Sequence, residues 1–148
     1  DVLALTRHLI QTNRVELKVE LDDDLPWVSI DHNQMKQVLL NLIHNALHAM
    51  PNGGDLRVAT YSVNREERNW VVMSIKDNGV GMSPADQSRI FEPFFTTKGE
   101  RGGTGLGLSV TYGIVTDHGG MIEVSSELNK GSTFSIVFPS LGENTTKS

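Results

Sequence analysis

The 148-residue chain contains no cysteine. That excludes a disulfide framework and any thiolate metal site, and it fits a reducing compartment. No apolar stretch approaches the roughly 18 residues that a membrane-spanning helix needs, and the N-terminus shows no secretory signal pattern. The expected setting is cytoplasmic, with no membrane contact by this domain, whether the full-length protein is soluble or membrane-anchored. Positive charge is not in surplus: the formal net charge of −5 argues against a surface built mainly to hold nucleic acid. There is also no internal repeat and no low-complexity segment. What remains is 38% hydrophobic and 21% charged, ordinary for one globular domain with room for a core. The chain opens mid-pattern at "DVLALTRHLI" and closes in the polar tail "GENTTKS", as if cut from something longer.

Residues 1–13 read as a short helix with Val2, Leu5, Leu9 and Ile10 on its apolar side. "VELKVEL" then alternates strictly, Val15, Leu17, Val19 and Leu21 against Glu16, Lys18 and Glu20, which is the pattern of a half-buried strand. "WVSI", 27–30, adds a short strand after the turn "DDDLP". Asp31 is placed to cap a long helix reaching about Met50 and stopped by "PNGG". Strands are expected near 55–63 and 69–76, joined by the charged link "NREER", and a helical turn or two at "SPADQSRIF". A further helix runs from about Leu106 to His118 and stops at Gly119-Gly120. "MIEVSSE" and "STFSIVFP" close the chain as a hairpin around Asn129-Lys130-Gly131.

The long helix has two faces. Met35, Val38, Leu39, Leu42, Ile43, Ala46, Leu47 and Met50 make a core-facing stripe. Gln34, Gln37, Asn41, Asn45 and His48 lie one above another on the other side. A merely solvated face is the bland alternative, but such faces normally use Glu, Lys and Arg. Asn is a poorer helix former, by about 0.5 kcal/mol at most. A carboxamide oxygen is a hard, uncharged ligand that suits Mg²⁺ when phosphates supply the negative charge.

"DNGVGM", 77–82, follows an apolar strand. Gly79 can supply a positive φ for the turn, and Gly81 lets a flat group approach the backbone. Asp77 at the strand end can accept a hydrogen bond from an exocyclic amine such as that of adenine; a plain tight turn is the alternative. Gly99, Gly102, Gly103, Gly105 and Gly107 cluster just before a helix, where freed backbone N–H groups form an anion site. Two familiar phosphate motifs fail here. Gly102 and Gly107 have the P-loop spacing, but Leu108 follows in place of Lys. The third glycine of a dinucleotide fingerprint, counted from Gly103 and Gly105, also falls on Leu108.

"NLIHNA", "DNGVGM", "FEPFF" and "GTGLGL" occur in that order in one domain. Together they resemble the N-box, first glycine box, F-box and second glycine box of the sensor histidine kinases. More broadly they are similar to the superfamily of type II topoisomerase, chaperone and mismatch-repair ATPases. The resemblance covers about residues 15–139, and "FEPFFTTK" is most similar to kinases of the nitrogen-regulation type. It implies an α+β fold, a two-layer α/β sandwich of the Bergerat type with a mixed, mostly antiparallel sheet packed on three helices. The chain would be one ATP-binding catalytic domain over 1–148, with an N-terminal helix at 1–13 and a polar tail at 140–148.

By that likeness the cofactors are ATP and Mg²⁺. Asp77 would read the adenine amine, with Gly79 in the turn, Gly81 behind the ring and Thr133 helping through water. Asn45 would coordinate Mg²⁺, and Asn41, one turn away, would lie near the phosphates. Gly103, Thr104, Gly105, Leu106, Gly107 and Leu108 would wrap the phosphate chain. Phe91, Phe94 and Phe95 would anchor a mobile lid over about 93–104. Lys98 would reach the terminal phosphate as a point charge, making Asn41, Asn45 and Lys98 the catalytic set. His48 departs from the pattern: many members carry Lys or Arg there, so the phosphate grip would rest more on Lys98 and Arg101.

The hydrolysing branch of the superfamily has Glu four residues before the magnesium asparagine, as do the anti-sigma serine kinases. Here that residue is Asn41, and a carboxamide has no usable basicity near neutral pH. The resemblance therefore implies a histidine kinase domain rather than an ATPase machine or a degenerate nucleotide-binding module. None of His8, His32, His44, His48 and His118 sits on a dimerising hairpin beside an acidic neighbour. The acceptor would lie on a separate histidine-containing dimerisation domain, absent from this chain, with a response regulator served indirectly.

Overall fold

The computed structural model describes residues 14–22, 25, 28–91 and 107–140; the expected N-terminal helix, the lid and all but the first residue of the polar tail lie outside them. The alternation in "VELKVEL" forms β1 (Val15–Leu21), with Val15 buried and Leu17 packed on the core. Burial fades toward its end, so that Val19 and Leu21 are exposed. Asp31 caps α1 (His32–Ala49) by accepting the Gln34 N–H on its carboxylate at 2.9 Å. Beyond Gly53 the chain returns as β2 (Gly54–Arg65), parallel to β1 with Val15 opposite Gly54. A parallel pair needs such a crossover, and α1 supplies it while covering one face of the sheet.

β3 (Arg68–Asp77) pairs antiparallel with β2 through a two-residue turn, Glu66-Glu67. Both turn residues have positive φ, 53° and 63°, as the mirror-image hairpin turn demands. Glutamate in that conformation costs on the order of 1 kcal/mol. Then come the single turn α2 (Pro84–Gln87), capped by Ser83, α3 (Gly107–Asp117), β4 (Met121–Glu127) and β5 (Gly131–Pro139). The sheet order is β1-β2-β3-β5-β4, antiparallel except for the first pair. This is the expected two-layer α+β architecture. No helix among the described residues is long and apolar enough to cross a membrane.

The core lies between α1 and one sheet face. Val38, Leu42, Ile43, Ala46 and Met50 from the helix meet Leu56, Val58, Ile75, Phe134 and Ile136 from the strands. The apolar stripe read from the helix is thus the buried one, with Leu39 only partly covered. The short strand expected at 27–30 is not formed at Val28–Ile30. That segment lacks a strand partner and instead leads into the α1 cap, Val28 resting on the core. The Asp31 N–H donates to His118 Nε2 at 2.9 Å, and His118 Nδ1 lies 2.7 Å from the Ile114 carbonyl. Nε2 accepts, so Nδ1 carries the proton and donates to Ile114. One imidazole therefore ties the end of α3 to the start of α1.

The outer sheet face is not a bare solvated surface. The register places Val72 and Val137 opposite each other there, and both are buried. Arg65 at the tip of the β2–β3 hairpin grips Glu123 of β4 with two hydrogen bonds, 2.6 and 3.1 Å. β3 and β5 lie between those strands, so the hairpin must twist back over the face to make this contact. The hydrogen bonds from Arg65, with its charge, hold the Glu123 carboxyl below its ordinary range. A folded pKa below the unfolded one means that the contribution is present above the unfolded pKa and fades as pH falls through the folded one. Replacing Glu123→Gln is expected to lower Tm by about 1–3 °C at pH 7. The gap to the parent should close on acidification through the carboxylate range in a pH series of melts. A gap that does not vary with pH would show that the ion pair contributes nothing.

Candidate functional site

Asp77 ends β3 directly opposite Ser132 of β5 and is 2% exposed. Its Oδ1 accepts the N–H of Gly79 at 2.9 Å and of Ser132 at 3.3 Å. Burial raises the pKa of this carboxyl, and the two backbone donors oppose that rise. The loop that follows is held from several sides. Val80 N–H donates to the Ala49 carbonyl at the end of α1, and Val80 O accepts from Asn129. Asn78 Oδ1 accepts the Asp55 N–H at 2.9 Å. Ser126 Oγ accepts the Met82 N–H at 2.9 Å, donates to Gly131 O and meets Ser132 Oγ at 2.8 Å. Gln87 Nε2 closes the ring, donating to Met82 O and Ser126 O.

The two glycines of this loop divide their work differently from the expectation. The positive φ belongs to Gly81, at +69°, and not to Gly79. A Cβ on Gly79 would collide with the Ala49 carbonyl, and one on Gly81 with the Glu127 carbonyl. Gly79 is therefore required by close approach to α1, and Gly81 by both conformation and approach.

Thr133 is not beside Asp77. It pairs with Lys76, and strand alternation sends it to the opposite sheet face. Ser132 occupies the position expected for Thr133. The sequence carries the period of two but not the pairing: only when the structure sets Asp77 opposite Ser132 does alternation decide which neighbour faces inward. Ser126 and Gln87 carried no comparable signal, because their bonds join segments about 40 residues apart.

The polar stripe of α1 meets the start of α3. Asn41 Nδ2 donates to Gly107 O and to Thr111 Oγ1, both at 3.1 Å, while its Oδ1 accepts from Gln37 Nε2 at 3.0 Å. Thr111, fully buried, returns a bond to Gly107 O at 2.9 Å. Asn45, one turn further, is half-buried and His48 is exposed. Leu108 packs on the core and the Phe91 ring lies against Tyr112, with centroids 5.2 Å apart and planes tilted by 38°. Lys98, Gly103, Thr104, Gly105 and Leu106, with Phe94, Phe95 and Arg101, lie outside the described residues.

Two anchor points thus sit on one helix. Gly107, the first residue of α3, meets Asn41, and the Asp77 loop seats on Ala49, about 12 Å further along the axis. The arrangement suits a ligand with a polar flat group at one end and anions at the other. Among the described residues no group of three or more His, Cys, Asp or Glu could hold a metal by itself. A carboxamide oxygen such as that of Asn45 has the chemistry to fit Mg²⁺ where phosphates are present, since that ion takes few protein ligands and completes its shell with phosphates and water.

Comparison with known proteins agrees with this geometry. Residues 30–142 match the family model for histidine kinase-, DNA gyrase B-, and HSP90-like ATPases. Sporulation kinase E of Bacillus subtilis is 40% identical over 94% of this chain, which spans 18% of that protein. Sensor kinase CckA of Brucella abortus is 42% identical over 97% of this chain and 17% of its own length. The nucleotide-free catalytic domain of histidine kinase ThkA superposes with a TM-score of 0.77 at 32% identity, covering 94% of this chain and 89% of that one. The chain spans under a fifth of the length of these two curated relatives. On sequence, fold and site together, the chain belongs to the histidine kinase-, DNA gyrase B- and HSP90-like ATPase family, as an ATP-binding catalytic domain of the sensor histidine kinase type.

Proposed function

We propose that this domain binds MgATP and presents its γ-phosphate to a histidine on a separate dimerisation domain, without hydrolysing ATP itself. The observation that carries this reading is the Asn41 carboxamide. It stands at the mouth of α3, where a hydrolysing relative needs a base, and it donates through Nδ2 to Gly107 and Thr111. An amide so held cannot take a proton from water.

Asp77, buried and aimed by Gly79 and Ser132, reads the adenine amine, with Gly81 setting the turn beside it. Ser132 stands in for Thr133 as the hydroxyl nearest that carboxylate. Asn45 holds Mg²⁺ together with phosphate oxygens, where the ion offsets phosphate charge. Gly103, Thr104, Gly105, Leu106, Gly107 and Leu108 line the phosphate chain, and Lys98 approaches its far end. His48 contributes a donor but little charge. Transfer in this design is positioning and electrostatics, and nucleophile and base arrive with the partner domain. A degenerate module is the weaker reading. A carboxylate kept 2% exposed is costly, and without a ligand nothing would maintain it.

The response regulator is served at one remove; histidine kinase ThkA has been solved in complex with response regulator protein TrrA. The cytoplasmic setting and the nitrogen-regulation likeness complete the reading, the latter resting on the wording of "FEPFFTTK" alone.

Titration calorimetry of ATP with Mg²⁺ is expected to give saturable binding, weakened at least tenfold in Asp77→Asn. Incubation with MgATP alone should release no phosphate, and adding a histidine-bearing dimerisation hairpin of this kinase type should yield phosphohistidine. Steady phosphate release by the domain alone would overturn the transfer reading.

Asp77 also makes a stability prediction. Its folded pKa is raised, so stability favours the protonated form: the contribution is full below the unfolded pKa and lost as pH rises through the folded one. Nucleotide-free Asp77→Asn is expected to melt no lower than the parent at pH 7, with any advantage shrinking on acidification. A variant that becomes progressively less stable than the parent as pH rises would contradict the burial argument.

A further inference from the structure

α3 is lightly seated. Its 11 residues bury only Thr111 and Val115, while Leu108 and Ile114 rest on the core in part and Val110 and Tyr112 are exposed. A helix this short is marginal without tertiary support. Gly113, in mid-helix, has nothing within 4 Å of where a Cβ would stand. No packing demands a glycine there, and its loss of helix propensity stands uncompensated. Val110, Thr111, Ile114, Val115 and Thr116 are β-branched and weak helix formers as well. Where α3 lies therefore depends on what ties it to its neighbours.

Two polar ties join it to α1. At its start Asn41 Nδ2 reaches Gly107 O and Thr111 Oγ1. Just past its end His118 Nε2 accepts the Asp31 N–H at 2.9 Å. The helices are thus antiparallel, with the ties roughly 15 Å apart along either one. The imidazole is itself fixed. Nδ1 donates to Ile114 O at 2.7 Å, and the Phe138 ring of β5 stands edge-on to it, with planes at 75°. Behind it the chain reverses through Gly119, at φ +75°, and the Gly120 N–H donates to the Val115 carbonyl. The accepting nitrogen is left aimed at the start of α1.

We propose that His118 is a positioning residue for nucleotide binding. Through Asp31 it sets the angle of α3 against α1, and so the place of Gly107 at the Asn41 end, where the proposed function puts the phosphates. With the His118 tie cut, α3 pivots about the other, and the Asn41 bonds to Gly107 and Thr111 loosen roughly 15 Å away. The nucleotide part of this rests on the MgATP reading. The coupling between the two ties does not.

Two amide variants test it. Gln Oε1 reaches the place of imidazole Nε2, so His118→Gln keeps an acceptor for the Asp31 N–H. Asn Nδ2 reaches only the place of Nδ1, so His118→Asn keeps the bond to Ile114 O and loses the one to α1. By calorimetry with MgATP, affinity should stay within about twofold of the parent in His118→Gln and fall about fivefold or more in His118→Asn. In NMR spectra without nucleotide, the parent should show ¹⁵N–¹⁵N coupling across the Asp31–His118 hydrogen bond. The Asn41 side-chain amide should exchange faster in His118→Asn, with the backbone amides of β3 and β5 unchanged. Adding Gly113→Ala to His118→Asn raises helix propensity without remaking the tie, and affinity should stay low. Equal affinities in the two variants, an unaltered Asn41 amide in His118→Asn, or recovery through Gly113→Ala would each overturn the proposal. A parent that fails to bind MgATP would instead overturn the nucleotide reading, and the Asn41 amide would then decide the coupling.

Discussion

One buried carboxylate organises one end of this domain. Asp77 sits at 2% exposure, and a charge so placed is tolerated only when donors are fixed against it. Those donors are backbone N–H groups of Gly79 and Ser132, so the carboxylate ties a loop to a strand. The loop must then pass so close to α1 and to the β4–β5 turn that no Cβ fits on Gly79 or Gly81. Ser126 and Gln87 supply the hydrogen bonds that lock this approach. The glycines follow from where the carboxylate has to stand, and the serine register of β5 follows from the same requirement.

The opposite end rests on an uncharged group. Asn41 joins α1 to α3 through bonds to Gly107 and Thr111, and its own oxygen is met by Gln37. A carboxylate at this position would face the Gly107 carbonyl and repel it. The same substitution of amide for acid that removes a general base also lets the helices close on each other. Chemistry and packing therefore agree at one residue. His118 performs the matching task at the far end of both helices, with its tautomer set by the donor and acceptor on either side.

Much of this was legible in the sequence where the period was strong. The apolar stripe from Met35 to Met50, the Asp31 cap and the glycine stop of α3 all follow from local rules and stand in the structure. The motifs set Asp77 at the end of its strand. The failures share a cause. Residues 27–30 have strand-forming composition but no partner edge, and pairing is a tertiary fact that composition does not carry. Thr133 faces away from Asp77 because a motif gives order, while facing is decided by register with a strand more than 50 residues away. Gly79 and Gly81 exchanged roles because a turn type is fixed by what the turn packs against. The clamp from Arg65 to Glu123 joins strands that are not neighbours, so no local pattern could disclose it.

The polar face of α1 shows why its composition is unusual. A solvated helix face would carry long charged side chains, which keep helix propensity high and leave the surface indifferent to what lies opposite. Here short amides and imidazoles occupy it, and each has a directed geometry: Gln37 to Asn41, Asn41 to α3, His44 to His48. Short neutral groups give up solvation and a little helix propensity, and they gain fixed donors and acceptors close to the backbone. Under the proposed reading, the amides also bring no charge of their own to a site for a highly charged ligand and its counter-ion. On the same reading the positive charge comes instead from Lys98, Arg101 and Mg²⁺. That reading separates uncharged groups on α1, which orient the ligand, from cationic groups elsewhere in the sequence, which neutralise its phosphates.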